Sequence, residues 1–313
     1  MEKKTVHNNF YESTEEIIHS KEELCESDSW VAGVDEAGRG PVYFNINIAN
    51  KIIKIGPMVY TVVYCPRTYE SRLKDYGFLD SKTLTPERRE CLMQALSTNH
   101  ELRKNVGWST RIISAREISE GMLRPDKSYN LNAQAHDTTI HLLSEVFKRN
   151  SKIKEIYVDT VGPSSSYQIK LQQLFPQANV KVAEKADAMY PIVSTASICA
   201  KVTRDKVLAK AAIHQELWGS GYPSDPVTHE WLRYSVDPIF GWPYEIVRYS
   251  WQTAKDILEK DAQKKDNSKV YVEWNEKSET RNTRRIQSYF KSPEVTQEGI
   301  NLSWYGQDVE NDF

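Results

Sequence analysis

The chain has 313 residues, 27% charged and 39% hydrophobic, the balance of a globular protein with one sizeable core and room for an appendage. Its formal net charge of −2 excludes a uniformly basic nucleic-acid-coating protein, so any nucleic-acid surface must be a local patch. Four cysteines without metal-ligand spacing, and no apolar stretch of membrane-span length, argue against a disulfide framework, a cysteine-held metal and a membrane protein.

Residues 1–28 are polar and charged and are expected to form a loosely held arm. Trp30-Val31-Ala32-Gly33-Val34 then reads as a buried strand, and it ends in Asp35-Glu36. Gly38-Arg39-Gly40 follows. Hard divalent cations prefer carboxylate oxygens. Backbone amides beside glycine can approach a phosphate or ribose because no Cβ intervenes. Together these features point to metal-assisted work on a phosphodiester; a solvated acidic turn is the plainer alternative.

Asp80-Ser81-Lys82 reads as a loop whose lysine can meet a phosphate as a point charge. Residues 108–113 read as a strand. Residues 133–150 are amphipathic at helical spacing, with Leu142, Leu143, Val146 and Phe147 on one side. Asn132, near the start of that helix, is either a cap or a polar contact. His136 and His141 are five apart and are taken as structural. Ile156-Tyr157-Val158 is a second buried-strand signal, ending in Asp159. Val180-Lys181-Val182 is a third, followed by Asp187 and a helix over 192–212. In α/β sheets, sites assemble where strands end. Asp35, Glu36, Asp159 and Asp187 are therefore the candidate ligands of two Mg²⁺ ions. Asp187 alone would read as a helix cap.

Lys201 and Arg204 share a helix face, a spacing that serves phosphate contacts or a surface ion pair. Tyr222 lies in a glycine-flanked loop, where a ring can reach a sugar or base or can simply pack. Residues 226–232 and 244–258 are helix candidates with aromatic anchors. The expected organisation is an acid-bearing α/β region over 29–214, a helical extension over 215–262 and a largely disordered tail over 263–313.

Read in order, these motifs resemble the ribonuclease HII family, type 2 ribonucleases H. Within it, they resemble the large subunit of the eukaryotic heterotrimer. The matching residues are Gly33 to Val42, Gly56-Pro57-Met58-Val59-Tyr60, Asp80-Ser81-Lys82-Thr83-Leu84 and Tyr129-Asn130-Leu131-Asn132. They continue through Val158-Asp159-Thr160-Val161-Gly162-Pro163, Lys185-Ala186-Asp187, Ser197 to Asp205 and Gly219 to Asp225. The resemblance implies a ribonuclease H-like fold: a mixed five-stranded sheet with helices on both faces and a C-terminal helical extension. It implies cleavage of RNA in RNA–DNA hybrids and at single ribonucleotides in duplex DNA, leaving 5′-phosphate and 3′-hydroxyl ends. It further implies two accessory subunits, a nuclear location, and roles in ribonucleotide removal and RNA-primer removal. By the same resemblance, the Gly38-Arg39-Gly40 backbone reads the 2′-hydroxyl. Ser81, Lys82, Asn132, Lys201 and Arg204 contact nucleic acid, and Tyr222 packs on the sugar at the RNA–DNA junction.

One segment departs from the family pattern. Family members pass from Gly-Arg-Gly-Pro-Val through a single residue into Gly-Pro-Met-Val-Tyr. Here thirteen residues, 43–55, intervene, rich in Asn, Ile and Lys. That composition reads as translation of an AT-rich noncoding stretch. It places six Ile or Phe side chains beside the expected metal site. A non-catalytic subunit disabled by this insert is one alternative reading, and a different two-metal phosphotransferase is another.

The tail carries a second resemblance. Thr283 to Phe290 resembles the motif that docks proteins on the DNA-replication sliding clamp, with Ile286, Tyr289 and Phe290 in its three hydrophobic places. Their i, i+3, i+4 spacing puts all three on one side of a helical turn. Thr283 stands where glutamine is usual. A peptide of residues 278–295 titrated against the clamp is expected to bind weakly and to lose binding on Tyr289→Ala/Phe290→Ala. No binding at high micromolar concentration, or binding indifferent to the double substitution, would refute clamp docking.

Overall fold

The structure is a computed structural model, and it describes residues 17–20, 24–39, 56–124, 129–212, 226–237, 240–244, 246–251 and 254–258. Gly40, the 43–55 insert, Tyr222 and the tail with Ile286, Tyr289 and Phe290 lie outside the described residues. The described residues all belong to one unit, Met1–Val270.

Apolar runs and β-branched residues build six strands: β1 (Ile18–His19), β2 (Trp30–Ala37), β3 (Met58–Pro66), β4 (Gly107–Ile113), β5 (Ile153–Asp159) and β6 (Asn179–Ala183). Their order is β1-β4-β3-β2-β5-β6. The first four pair antiparallel, and β2, β5 and β6 pair parallel, so the sheet is mixed as expected. It holds one strand more than the five expected. The addition is the two-residue β1, drawn from the segment read as a loose arm and paired to Ser109 and Thr110.

The helices are α1 (Leu73–Tyr76), α2 (Pro86–Thr98), α3 (His100–Asn105), α4 (Ala115–Met122), α5 (Leu131–Arg149), α6 (Ser164–Leu174), α7 (Ala186–Met189), α8 (Pro191–Ala212) and α9 (Pro226–Tyr234). Side-chain caps start several of them. Thr85 accepts from Arg88 N–H with Pro86 in the first turn, and Asn130 accepts from Ala133 N–H. The cap of α5 is thus Asn130, which leaves Asn132 free for another role.

Alternation along β2 divides the core between two faces. Trp30, Ala32 and Val34 join Tyr60, Leu142, Val146 and Tyr167 on the α5–α6 side. Val31 joins Leu92, Leu102, Val193 and Ala196 on the α2–α3–α8 side. Gly33 faces α8. A Cβ built on it would lie 2.5 Å from Ile192 C and 2.6 Å from Val193 N, so the helix backbone rests directly on the strand. Beyond the sheet, α9 packs through Leu232 with Trp242, Ile246, Val247 and Ala254. Of the second expected helix over 244–258, only residues 254–258 are helical among the described residues.

The outer edge of β6 is covered by side chains. Val182 N–H donates to Gln168 Oε1 at 2.9 Å and Val180 N–H to Gln172 Oε1 at 3.0 Å. Gln172 Nε2 returns a bond to Ala178 O at 2.8 Å.

Gly33→Ala is expected to cost about 3 kcal/mol or more, because a methyl group would meet backbone that cannot swing away. Thermal unfolding checks this. A melting temperature within a degree of the parent would refute the close packing.

Candidate active site

Parallel pairing of Val34 with Val158 brings the ends of β2 and β5 together, and with them Asp35 and Asp159. Asp35 shares the α8-facing side of β2 with Val31 and Gly33, and it is buried. Glu36, next along the strand, takes the opposite side and pairs in register with Tyr60. Asp159 Oδ1 accepts from Ala186 N–H at 2.8 Å, which ties the end of β5 to α7. Lys185 makes the turn before α7 with φ of 56°, a left-handed conformation uncommon for a residue with a Cβ. Through this turn Asp187 enters the same site at only 3% exposure. Its Oδ2 accepts from Lys82 Nζ at 2.7 Å. Its Oδ1 is buried with no hydrogen-bond partner among the described residues.

The carboxylates feel one another. Burial, then the charge of Asp159, pushes the Asp35 carboxyl up to about 7, against bonds from Ser197 and the Glu36 N–H and the charge of Lys201. Burial also raises Asp159, opposed by the Ala186 N–H and reinforced by Asp187. Lys82 holds its proton more tightly than usual. Burial works against it, but the bond and charge of Asp187 prevail, with Asp80 and Asp35 adding to them. Buried carboxylates whose charges oppose ionisation at Asp35 and Asp159, with Lys82 on Asp187, form a site where a cation would be favoured.

Lys82 is largely exposed and can turn to a phosphate. The other basic residues expected to contact phosphate are placed differently. Lys201 Nζ points inward to Ser197 Oγ at 3.1 Å and to Ser81 Oγ. Ser81 is itself fully buried, 2.9 Å from Ser197 Oγ, so it offers no surface to nucleic acid. Arg204 is also fully buried. A Cβ on Gly38 would sit 2.7 Å from Arg204 Nε and 2.4 Å from Pro57 O. Arg204 therefore underlies the Gly38 turn instead of facing solvent. Gly38 has φ of +86°, so glycine is required there on conformational grounds as well.

Arg248 is a residue that motif reading missed. It is fully buried, and its guanidinium donates to Gly56 O at 2.9 Å and to Gly38 O at 2.7 Å. It closes the point where the chain leaves β2 and returns to β3, the two ends of the segment that contains the insert. Burial, and then the like charge of Arg204, work against its ionised form. The β2–β3 register runs unbroken to Ala37 and Val59. The buried Arg39 donates to Asn132 Oδ1. An arginine can only donate, so the amide oxygen of Asn132 faces it and the amide nitrogen lies beside Gly162, which has φ of +80°. His136 bonds Val161 O through Nε2 at 3.0 Å and stacks on Tyr167, a structural role that steadies the turn after Asp159.

The donor set fits hard divalent ions: carboxylate oxygens, one of them buried and unpartnered. Among the described residues no three His, Cys, Asp or Glu side chains are arranged to hold a metal ion by themselves. Mg²⁺ commonly takes only one or two carboxylates and fills its remaining positions with water or phosphate oxygen, so an open set suits it.

A family model described as Ribonuclease HII matches residues 32–254. A ribonuclease H2 subunit from Schizosaccharomyces pombe is 49% identical over 96% of this chain and 85% of its own length. The crystal structure of ribonuclease H2 from Pyrococcus horikoshii superposes with a TM-score of 0.59 at 35% identity, covering 75% of this chain and 99% of that one. A structure of the PCNA:RNase HII complex from Archaeoglobus fulgidus gives 0.56 at 29% identity, over 72% and 96%.

A raised carboxyl pKa means that protonation favours the folded state. Asp35 therefore contributes stability that is complete below its unfolded pKa of about 3.9 and is lost as pH rises through about 7. The metal-free protein should melt progressively lower across that window. Asp35→Asn should remove that part of the slope and raise the melting temperature by several degrees at pH 7.5 in EDTA. An unchanged slope in the variant would contradict the charge crowding.

Proposed function

The chain belongs to the ribonuclease HII family and is a ribonuclease H, and from that premise we propose that it cuts RNA within RNA–DNA hybrids and cuts 5′ to single ribonucleotides in duplex DNA. The observation that carries this reading is the meeting of Asp35, Asp159 and Asp187 at the strand ends, beside the left-handed Gly38 turn. Asp35, Glu36, Asp159 and Asp187 would hold two Mg²⁺ or Mn²⁺ ions, which when bound supply a nucleophilic water and positive charge at the leaving oxygen. The protein's own part is positioning. The Gly38-Arg39-Gly40 backbone approaches the 2′-hydroxyl, the group that separates RNA from DNA. Asn132, with its oxygen taken by Arg39, presents N–H to a phosphate oxygen. Lys82 neutralises a neighbouring phosphate, and Tyr222 packs on the sugar at the junction. The products carry 5′-phosphate and 3′-hydroxyl ends.

In this reading the enzyme is nuclear, works with two accessory subunits, and serves ribonucleotide removal and primer removal. The reading includes a clamp contact, in line with the Archaeoglobus fulgidus RNase HII solved with PCNA, and assigns it to Ile286, Tyr289 and Phe290 on their sequence spacing. Whether residues 43–55 disable the chain is decided by assay of the parent beside the deletion; the flanking Gly38 and Gly56 carbonyls are both held by Arg248.

Three duplexes test the reading: an RNA–DNA hybrid, a DNA duplex with one ribonucleotide, and the same duplex without it. The first two should be cut and the third left whole. Asp159→Asn should abolish cleavage with the fold intact, and deletion of residues 43–55 should leave it in place. Cleavage of the all-DNA duplex, or near-normal turnover of Asp159→Asn in saturating Mg²⁺, would overturn it.

A further inference from the structure

Lys201 sits one helical turn beyond Ser197 on α8, and its ammonium is directed into the protein. It donates to Ser197 Oγ at 3.1 Å and to Ser81 Oγ, and the two hydroxyl oxygens lie 2.9 Å apart. Both serines are fully buried. An ammonium has three donors and no acceptor. Each serine oxygen therefore accepts from Lys201, and each hydroxyl proton must go elsewhere. Ser197 bonds the Asp35 carboxylate, and a hydroxyl facing an ionised carboxylate can only donate. The Ser81 hydroxyl then donates to Ser197. One direction satisfies every group: Lys201 to both serines, Ser81 to Ser197, and Ser197 to Asp35. The same contacts fasten the Asp80–Lys82 loop, which delivers Lys82 to Asp187, onto α8.

We propose that Lys201 is a positioning residue for the metal site: through Ser197 it fixes the orientation of the Asp35 carboxylate, and it does not contact the substrate phosphate. The proposal rests on the reading of Asp35 as a metal ligand. Groups that orient metal ligands typically change metal affinity by about 10–100-fold when removed. A phosphate-contacting lysine behaves differently, since its loss lowers the salt dependence of nucleic-acid binding by about one unit of slope.

The test titrates MnCl₂ into metal-free full-length protein by calorimetry, for the parent, Lys201→Met, Lys201→Arg, Ser197→Ala and Asp35→Asn. Binding of an RNA–DNA hybrid in EDTA is measured separately across a salt series. Lys201→Met is expected to weaken Mn²⁺ binding by about 10-fold or more, with the salt slope unchanged. Ser197→Ala should reproduce the loss, because it removes the last link to Asp35. Lys201→Arg keeps a charged donor and should recover part of it. Ser197→Ala decides the matter alone if Lys201→Met does not fold. Parental Mn²⁺ affinity in Ser197→Ala, or a lowered salt slope with parental Mn²⁺ affinity in Lys201→Met, would overturn the proposal. Asp35→Asn separates the two ideas. If it binds Mn²⁺ as the parent does, the ligand reading itself is wrong. If it loses Mn²⁺ while the Lys201 and Ser197 variants do not, only the positioning role falls.

Discussion

The backbone of α8 lies on Gly33 at a distance that admits no side chain, and much else follows from that contact. It fixes the height of the helix over the sheet to within the size of a methyl group. Ser197 and Lys201, one and two turns further along, then fall over the end of β2, where Asp35 stands. The short α7 before it carries Asp187 to the same place, held by the bond from Ala186 N–H to Asp159. Three carboxylates from distant parts of the chain thus depend on one glycine that takes no part in the chemistry.

Two buried arginines give the site its second support. Arg204 lies under the Gly38 turn, and Arg248 joins the Gly38 and Gly56 carbonyls. Burying a guanidinium is costly unless its donors are used, and carbonyl oxygens meet part of that need. The geometry of the turn is therefore set from beneath by groups outside the loop. The strands on either side, β2 and β3, keep an unbroken register from Trp30–Pro66 to Ala37–Val59.

The strands that carry the first acids were legible because buried strands read as short apolar runs, and those of β2 and β5 lead into Asp35 and Asp159. Strands β2, β5 and β6 and helices α5 and α8 follow that reading closely. Other elements left no such signal. Strand β1 is too short to have a period. Helix α2 buries only Leu92 and Leu96, so its polar surface hides its apolar stripe. The placement of Lys201, Arg204 and Arg248 was beyond pattern reading, since charged residues are mostly exposed. Arg248 is buried against carbonyls 192 and 210 residues away, and Lys201 against a buried serine 120 residues away, which local spacing does not encode. Arg39 and Asn132 illustrate the intermediate case. Both were marked by motif, but only the fold shows that one orients the other. Gly40 and Tyr222 lie outside the described residues, so their roles rest on the sequence and its resemblance.

The glutamines over β6 have a consequence for assembly. The last strand of an open sheet presents unpaired N–H and C=O groups, a template on which another chain can add a strand. Gln168 and Gln172 fill those positions at Val180, Val182 and Ala178 with side-chain amides, which offer the same donor and acceptor pattern as a peptide group. The opposite margin, among the described residues, is a strand of two residues. Among the described residues, β6 thus presents fewer free N–H groups than a bare edge strand would. A chain that extended the sheet at β6 would first have to displace Gln168 and Gln172.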